Sequence, residues 1–134
     1  MADYTLVDLK EDVDDQAPQF GFAPNMEARF ATQSLQLQKS GASYMRLEPN
    51  FRVPFGHTHQ EQEEVYVVIS GSARVKVDDD VVDLGRLNAL RIPPKAMRCV
   101  QAGPEGAEYL AFGAPPVQGD RQAESQITPN WWSD

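Results

Sequence analysis

The chain has two histidines, His57 and His59, and they stand two positions apart. In an extended strand, residues i and i+2 share a face, so both imidazoles can converge on one point. Glu64 follows five residues after His59, an odd separation that a continuous strand would send to the opposite face. The polar segment between them, Gln60-Glu61-Gln62-Glu63, reads as a loop in which the chain reverses. A hairpin there would bring Glu64 back beside the histidines. Two imidazoles and a carboxylate are a ligand set for a borderline transition metal, and they complete a facial triad that leaves coordination positions open. His57, His59 and Glu64 are therefore the candidate metal ligands, with Fe, Mn, Ni or Zn as the divalent ion.

The element after the loop, Glu64 to Ile69, is rich in β-branched and aromatic residues and is expected to be a strand. Val65, Val67 and Ile69 lie on one face, and Glu64, Tyr66 and Val68 on the other. A strand apolar on both sides is covered twice, once by a core and once by another sheet or subunit. That predicts a homodimer, since a domain this small cannot easily cover both sides of its own sheet. Ser70-Gly71 is expected to end the run in a turn.

His57-x-His59, four residues, Glu64, six residues, Gly71 resembles the first metal-binding motif of the cupins, small antiparallel β-barrels of the jelly-roll type. The similarity extends through Glu64-Val-Tyr-Val-Val-Ile-Ser-Gly71. The second cupin motif has a Pro-x-Gly turn followed by a third histidine. Here the segment reads Arg91-Ile92-Pro93-Pro94-Lys95-Ala96-Met97-Arg98-Cys99, with Lys95 at the glycine and Arg98 at the histidine. The resemblance spans roughly residues 40 to 113. It implies an all-β, single-domain jelly-roll barrel, and an activity such as a dioxygenase or isomerase on a small organic molecule.

Arg98 divides the functional readings. Arginine stays protonated and cannot be a ligand, and a unit charge about 4 Å from a divalent ion is repelled by roughly 8 kcal/mol at an effective dielectric near 20. Metal binding is therefore expected only if the Arg98 head swings toward the barrel mouth, leaving its stem along the wall. The alternative is a metal-free barrel in which Arg98 pairs with Glu64, or recognises a small anionic ligand such as a carboxylate or phosphate. A third class is a purely structural or regulatory barrel. Tyr66 is a candidate for orienting the ligand, against the plainer reading of an inward tyrosine whose hydroxyl meets a wall partner. Cys99 has the opposite parity to Arg98 and is expected to face away from the pocket.

The elements that must position these residues follow from the whole chain. Its 134 residues suit one domain, and a net charge of −8 disfavours nucleic acid and anionic membranes as partners. A single cysteine excludes an internal disulfide and fits a reducing compartment. No apolar segment approaches the roughly 18 residues of a transmembrane span, and no signal-peptide pattern opens the chain, so a cytoplasmic protein is expected.

Three regions are expected: an N-terminal arm over 1–28, the barrel over 29–113 and a C-terminal tail over 114–134. In the arm, Leu6, Val7 and Leu9 suggest a short strand, while Glu11, Asp12, Asp14 and Asp15 read as a solvated acidic run without calcium-loop spacing. Barrel strands are predicted over 30–39, 43–48, 51–59, 64–69, 73–77, 81–84, 87–92, 96–100 and 108–112, with turns at 78–80 and 103–106. Trp131 and Trp132 are expected to pack the tail onto its own domain or a dimer partner, with closure of a ligand-filled barrel mouth as the alternative.

Overall fold

The computed structural model describes residues 1–117 and 121–134; residues 118–120 of the expected C-terminal tail lie outside them. Among the described residues the chain forms eight strands: β1 (Met26–Phe30), β2 (Gly41–Leu47), β3 (Phe55–His59), β4 (Glu63–Val77), β5 (Asp80–Leu84), β6 (Ala89–Ile92), β7 (Arg98–Ala114) and β8 (Ser125–Pro129). A 3-10 turn at Ala17–Phe20 and a single helical turn, α1 (Arg121–Glu124), complete it. Every pairing is antiparallel. The strands form the curled all-β barrel expected of a jelly roll, and no described helix is long and apolar enough to cross a membrane.

Two long strands carry the architecture. β7 bonds to β2 and β4 along its second half, and to the end of β4 along its first half, where Arg98 also meets His57 of β3. β4 holds β6 against its first half and β5 against its second. Both were expected to be broken by turns, at Ser70-Gly71 and at 103–106, and both instead run through. The register shifts between Val68 and Ser70 and between Gly71 and Ala73. This bulge flips parity, so Tyr66 and Val68 face the core before it and Ala73 and Val75 after it. Gly71 adopts φ +72, and a Cβ there would lie 2.0 Å from the Gly106 carbonyl oxygen. Glycine is needed at that position for close backbone approach inside a strand, which local composition does not distinguish from a turn.

Two predicted strands do not form. Residues 32–36 are turns, closed by Leu35 N–H to Ala31 O and Gln36 N–H to Gln33 O, with Gln36 at φ 58. Leu6 stands 87% exposed with no strand around it. The Asp8 carboxylate instead accepts the Lys10 and Glu11 amides and bends the chain. The first segment nevertheless docks on the barrel. Asp15 accepts the Ala17 and Ala28 amides, Val13 and Ala17 are buried, and buried Glu27 gathers Lys10, Arg29 and Arg46.

The core comprises Leu47, Tyr66, Val68, Val75, Ile92, Val100 and Tyr109 with their smaller neighbours. At the far end, β8 pairs with β3 from Phe55↔Pro129 to His59↔Ser125. Beyond it Trp132 is buried under the Arg52 guanidinium, which sits 4.2 Å from the ring centre. The tail is thus packed on its own domain.

Candidate metal centre

His57 and His59 alternate with Thr58 along β3, so strand pleat places both rings on one side. Their centroids are 5.0 Å apart in an edge-to-face arrangement. Glu64 does not return to them through a hairpin, because β4 bonds to β6 and β7 and not to β3. The loop at 60–62 instead carries the chain across the barrel, and Glu64, in register with Ile92 and Gly113, faces the histidines from the opposite wall. Its Oε1 lies 3.5 Å from His57 Nε2 and 3.3 Å from His59 Nε2.

One donor atom from each of the three residues lies within 4.8 Å of the others. Donors that share an ion at about 2.1 Å stand about 3.0–3.4 Å apart; the His59–Glu64 contact falls in that range and the His57–Glu64 contact lies just beyond it. The His59 Nε2 atom is buried 3.3 Å from Glu64 Oε1 and makes no well-aligned hydrogen bond, which leaves it available as a ligand. Burial lowers the pKa of His57 more than Glu64 raises it, and keeps the imidazole neutral. Burial opposes the charge on Glu64, but the contacts from His57 and His59 outweigh it and hold the carboxyl well below its usual range. A neutral His57 imidazole and an ionised Glu64 carboxylate are protonation states that suit a divalent ion. The three residues thus present the donor set of a divalent-metal site.

Arg98 does not swing toward the mouth. Its side chain is 0% exposed, and NH1 donates to Glu64 Oε1 at 2.7 Å. NH2 donates to the Pro93 carbonyl at 2.7 Å, and Nε has no partner. The proline pair thus curls back to receive the arginine that follows it. Tyr66, also buried, donates its hydroxyl to the same Glu64 oxygen at 3.3 Å. Burial and the nearby Glu64 charge raise its pKa well above the usual phenol value, so it remains a donor. Cys99 points the other way, with its thiol against the Val53 carbonyl, and burial pushes its pKa up to about 11.

One residue at this site was not foreseen. Glu124, at the end of α1, sets Oε2 3.2 Å from His59 Nδ1 and accepts the amides of Gln60 and Glu61. Ser125 Oγ lies 3.3 Å from the same nitrogen. No spacing rule links positions 59 and 124; only the β3–β8 register brings them together. Glu124 also changes the electrostatic balance. Glu64 and Glu124 are two carboxylates against the single charge of Arg98, so with neutral imidazoles the group is formally net negative. The Arg98 charge is paired with Glu64, and Glu124 adds a second carboxylate behind His59.

No protein-family model matches the sequence, and no curated protein matches it. Solved structures do match. A cupin protein from Bacteroides fragilis superposes with TM-score 0.69 at 22% identity, covering 90% of this chain and 91% of that one. Oxalate decarboxylase from Bacillus subtilis superposes with TM-score 0.66 at 25% identity, over 76% of this chain and 28% of that one. KdgF from Halomonas sp. gives 0.69 at 13% identity, over 87% and 97%. This chain thus spans under a third of the oxalate decarboxylase chain, and most of the other two. The fold is that of the cupin superfamily.

Proposed function

From the cupin fold as premise, we propose that this protein binds one divalent metal ion through His57, His59 and Glu64 and acts on a small organic molecule there. The observation that carries the reading is the buried, unpartnered Nε2 of His59 beside two further donors of the right type. A bound ion would supply Lewis-acid polarisation of a substrate oxygen at an open coordination position. The chain's own groups do the rest. His57, with 24% of its side chain exposed, is the most accessible ligand and marks the side from which a molecule enters. Arg98 and Tyr66 hold the Glu64 carboxylate in place from behind. We infer further that the protein works as a cytoplasmic homodimer. The half-buried outer residues Val65, Val67 and Ile69 next to exposed Phe112 support the dimer.

A second reading rests on the 2.7 Å contact between Arg98 and Glu64: a metal-free module in which that ion pair is the finished structure and Arg98 and Tyr66 face a small anion. Metal analysis of untagged protein separates the two. The metal reading expects about one equivalent of Fe, Mn, Ni or Zn per chain, lost in His57→Ala and His59→Ala. Protein that binds none of these ions in competition with a weak chelator would overturn it. Thermal stabilisation by small carboxylates or phosphate alone would then favour the module.

A further inference from the structure

We propose that Glu124 is a positioning residue for the metal centre: it fixes the proton of His59 on Nδ1 and thereby leaves Nε2 free for the ion. The proposal rests on the metal reading above for its consequence, but its first step concerns only this chain. His59 has two ring nitrogens in different company. Nδ1 faces Glu124 Oε2 at 3.2 Å and Ser125 Oγ at 3.3 Å. Nε2 faces Glu64 Oε1 at 3.3 Å without forming a hydrogen bond. Two carboxylates thus compete for one imidazole proton. Glu64 Oε1 is already occupied by the Arg98 guanidinium at 2.7 Å and the Tyr66 hydroxyl at 3.3 Å, whereas Glu124 presents an acceptor to Nδ1. The proton belongs on Nδ1, and a carboxylate behind a ligating histidine both sets its tautomer and raises its basicity.

Glu124 is itself held. Its Oε2 accepts the Gln60 amide at 2.7 Å, its Oε1 accepts the Glu61 amide at 3.2 Å, and its own carbonyl receives Gln60 N–H at 2.8 Å. His59 and Ser125 are register partners. The same carboxylate therefore ties together the ligand strand β3, the loop that leads to Glu64, and the C-terminal strand β8. Metal affinity and the docking of β8 are coupled through it, and the coupling is reciprocal: an ion on Nε2 strengthens the Nδ1 hydrogen bond that holds the tail.

The test uses the full chain in three forms: wild type, Glu124→Ala and Glu124→Gln. Nitrogen-15 NMR of the metal-free protein at mildly alkaline pH reads the tautomer of each neutral ring, and two histidines make assignment simple. Wild-type His59 is expected to carry its proton on Nδ1, and Glu124→Ala to shift it toward Nε2. Glu124→Gln, which keeps an amide oxygen as acceptor, should retain the wild-type tautomer. Zinc or nickel titration against a chelator should then show a loss of about 10- to 100-fold in Glu124→Ala and a smaller loss in Glu124→Gln. A merely structural role would lower the melting temperature and speed exchange of the Gln60 and Glu61 amides without moving the ring proton. A proton found on Nε2 in the wild type, or a tautomer unchanged in Glu124→Ala, overturns the proposal. So does unchanged metal affinity in Glu124→Ala when the wild type binds the ion. A wild type that binds no metal defeats the functional reading, and the tautomer still decides the role of Glu124.

Discussion

Arg98 and Glu64 form an ion pair across the barrel interior, from opposite walls, with 2.7 Å between NH1 and Oε1 and no exposure of the arginine side chain. Arg98 is also the register partner of His57, so position 98 faces all three candidate ligands. Arg98→His removes a permanent charge and adds a neutral imidazole on the same wall. It also frees Glu64 Oε1. All three changes favour a divalent ion, and affinity for zinc or nickel should rise on the order of a hundredfold. His57→Ala in that background should abolish the gain. Chelator-competed titration measures both, and an unchanged affinity in Arg98→His would mean that position 98 does not take part in the site.

Glu27 predicts how the protein responds to acid. Its side chain is 9% exposed and meets Arg29 at 2.6 Å, Arg46 at 2.9 Å and Lys10 at 3.4 Å. Burial raises its pKa, but hydrogen bonds from Arg46 and Arg29 outweigh that and lower it to about 2 from an ordinary 4.5. A carboxyl depressed on folding contributes stability that is complete above pH 4.5 and is lost as pH falls toward 2. Glu27→Gln should therefore cost about 2 kcal/mol near neutrality, and the gap between variant and wild type should close as pH approaches 2. Denaturant melts at several pH values test this; a gap independent of pH would show that the cluster does not act through the Glu27 charge.

Side-chain alternation was legible wherever a strand is regular. The inward set of Tyr66 and Val68, and that of Ala73 and Val75, follow from parity within each segment. Parity does not show how the two segments join, because serine and glycine signal backbone freedom without saying whether it serves a turn or a bulge. The same limit applies to Glu64. Its odd separation from His59 requires a change of direction, but a hairpin and a crossing to the opposite wall both satisfy that requirement. Glu124 left no local trace at all: its contact with His59 spans 65 positions and depends on β8 pairing with β3. Leu6 failed for a different reason, since β propensity without a partner strand does not make a strand.

The outer face of β4 predicts self-association. Val65, Val67 and Ile69 are only half-covered, and Phe112, the register partner of Val65, is 44% exposed. Light scattering should give a mass near 30 kDa, twice the 14.9 kDa chain, and Phe112→Asp should shift the protein toward monomer by burying a charge in the contact. A mass near 15 kDa across a wide concentration range would refute the dimer.

Gly71 and Gly21 share a left-handed backbone, with φ +72 and φ +79, but not their surroundings. A Cβ at Gly21 would meet nothing within 4 Å, whereas one at Gly71 would lie 2.0 Å from the Gly106 carbonyl oxygen and 3.3 Å from Ala107 Cα. Gly21→Ala should therefore cost only the conformational penalty, about 1 kcal/mol. Gly71→Ala adds a backbone clash at the point where β4 and β7 change register together. Relief requires the two longest strands to part, so the loss should reach about 3 kcal/mol or more. Because Glu64 and Arg98 ride on those two strands, Gly71→Ala should also weaken metal binding, while Gly21→Ala should leave it unchanged. Urea melts and chelator titrations of the two variants make the comparison, and equal losses in both would show that the bulge can relax without moving the strands.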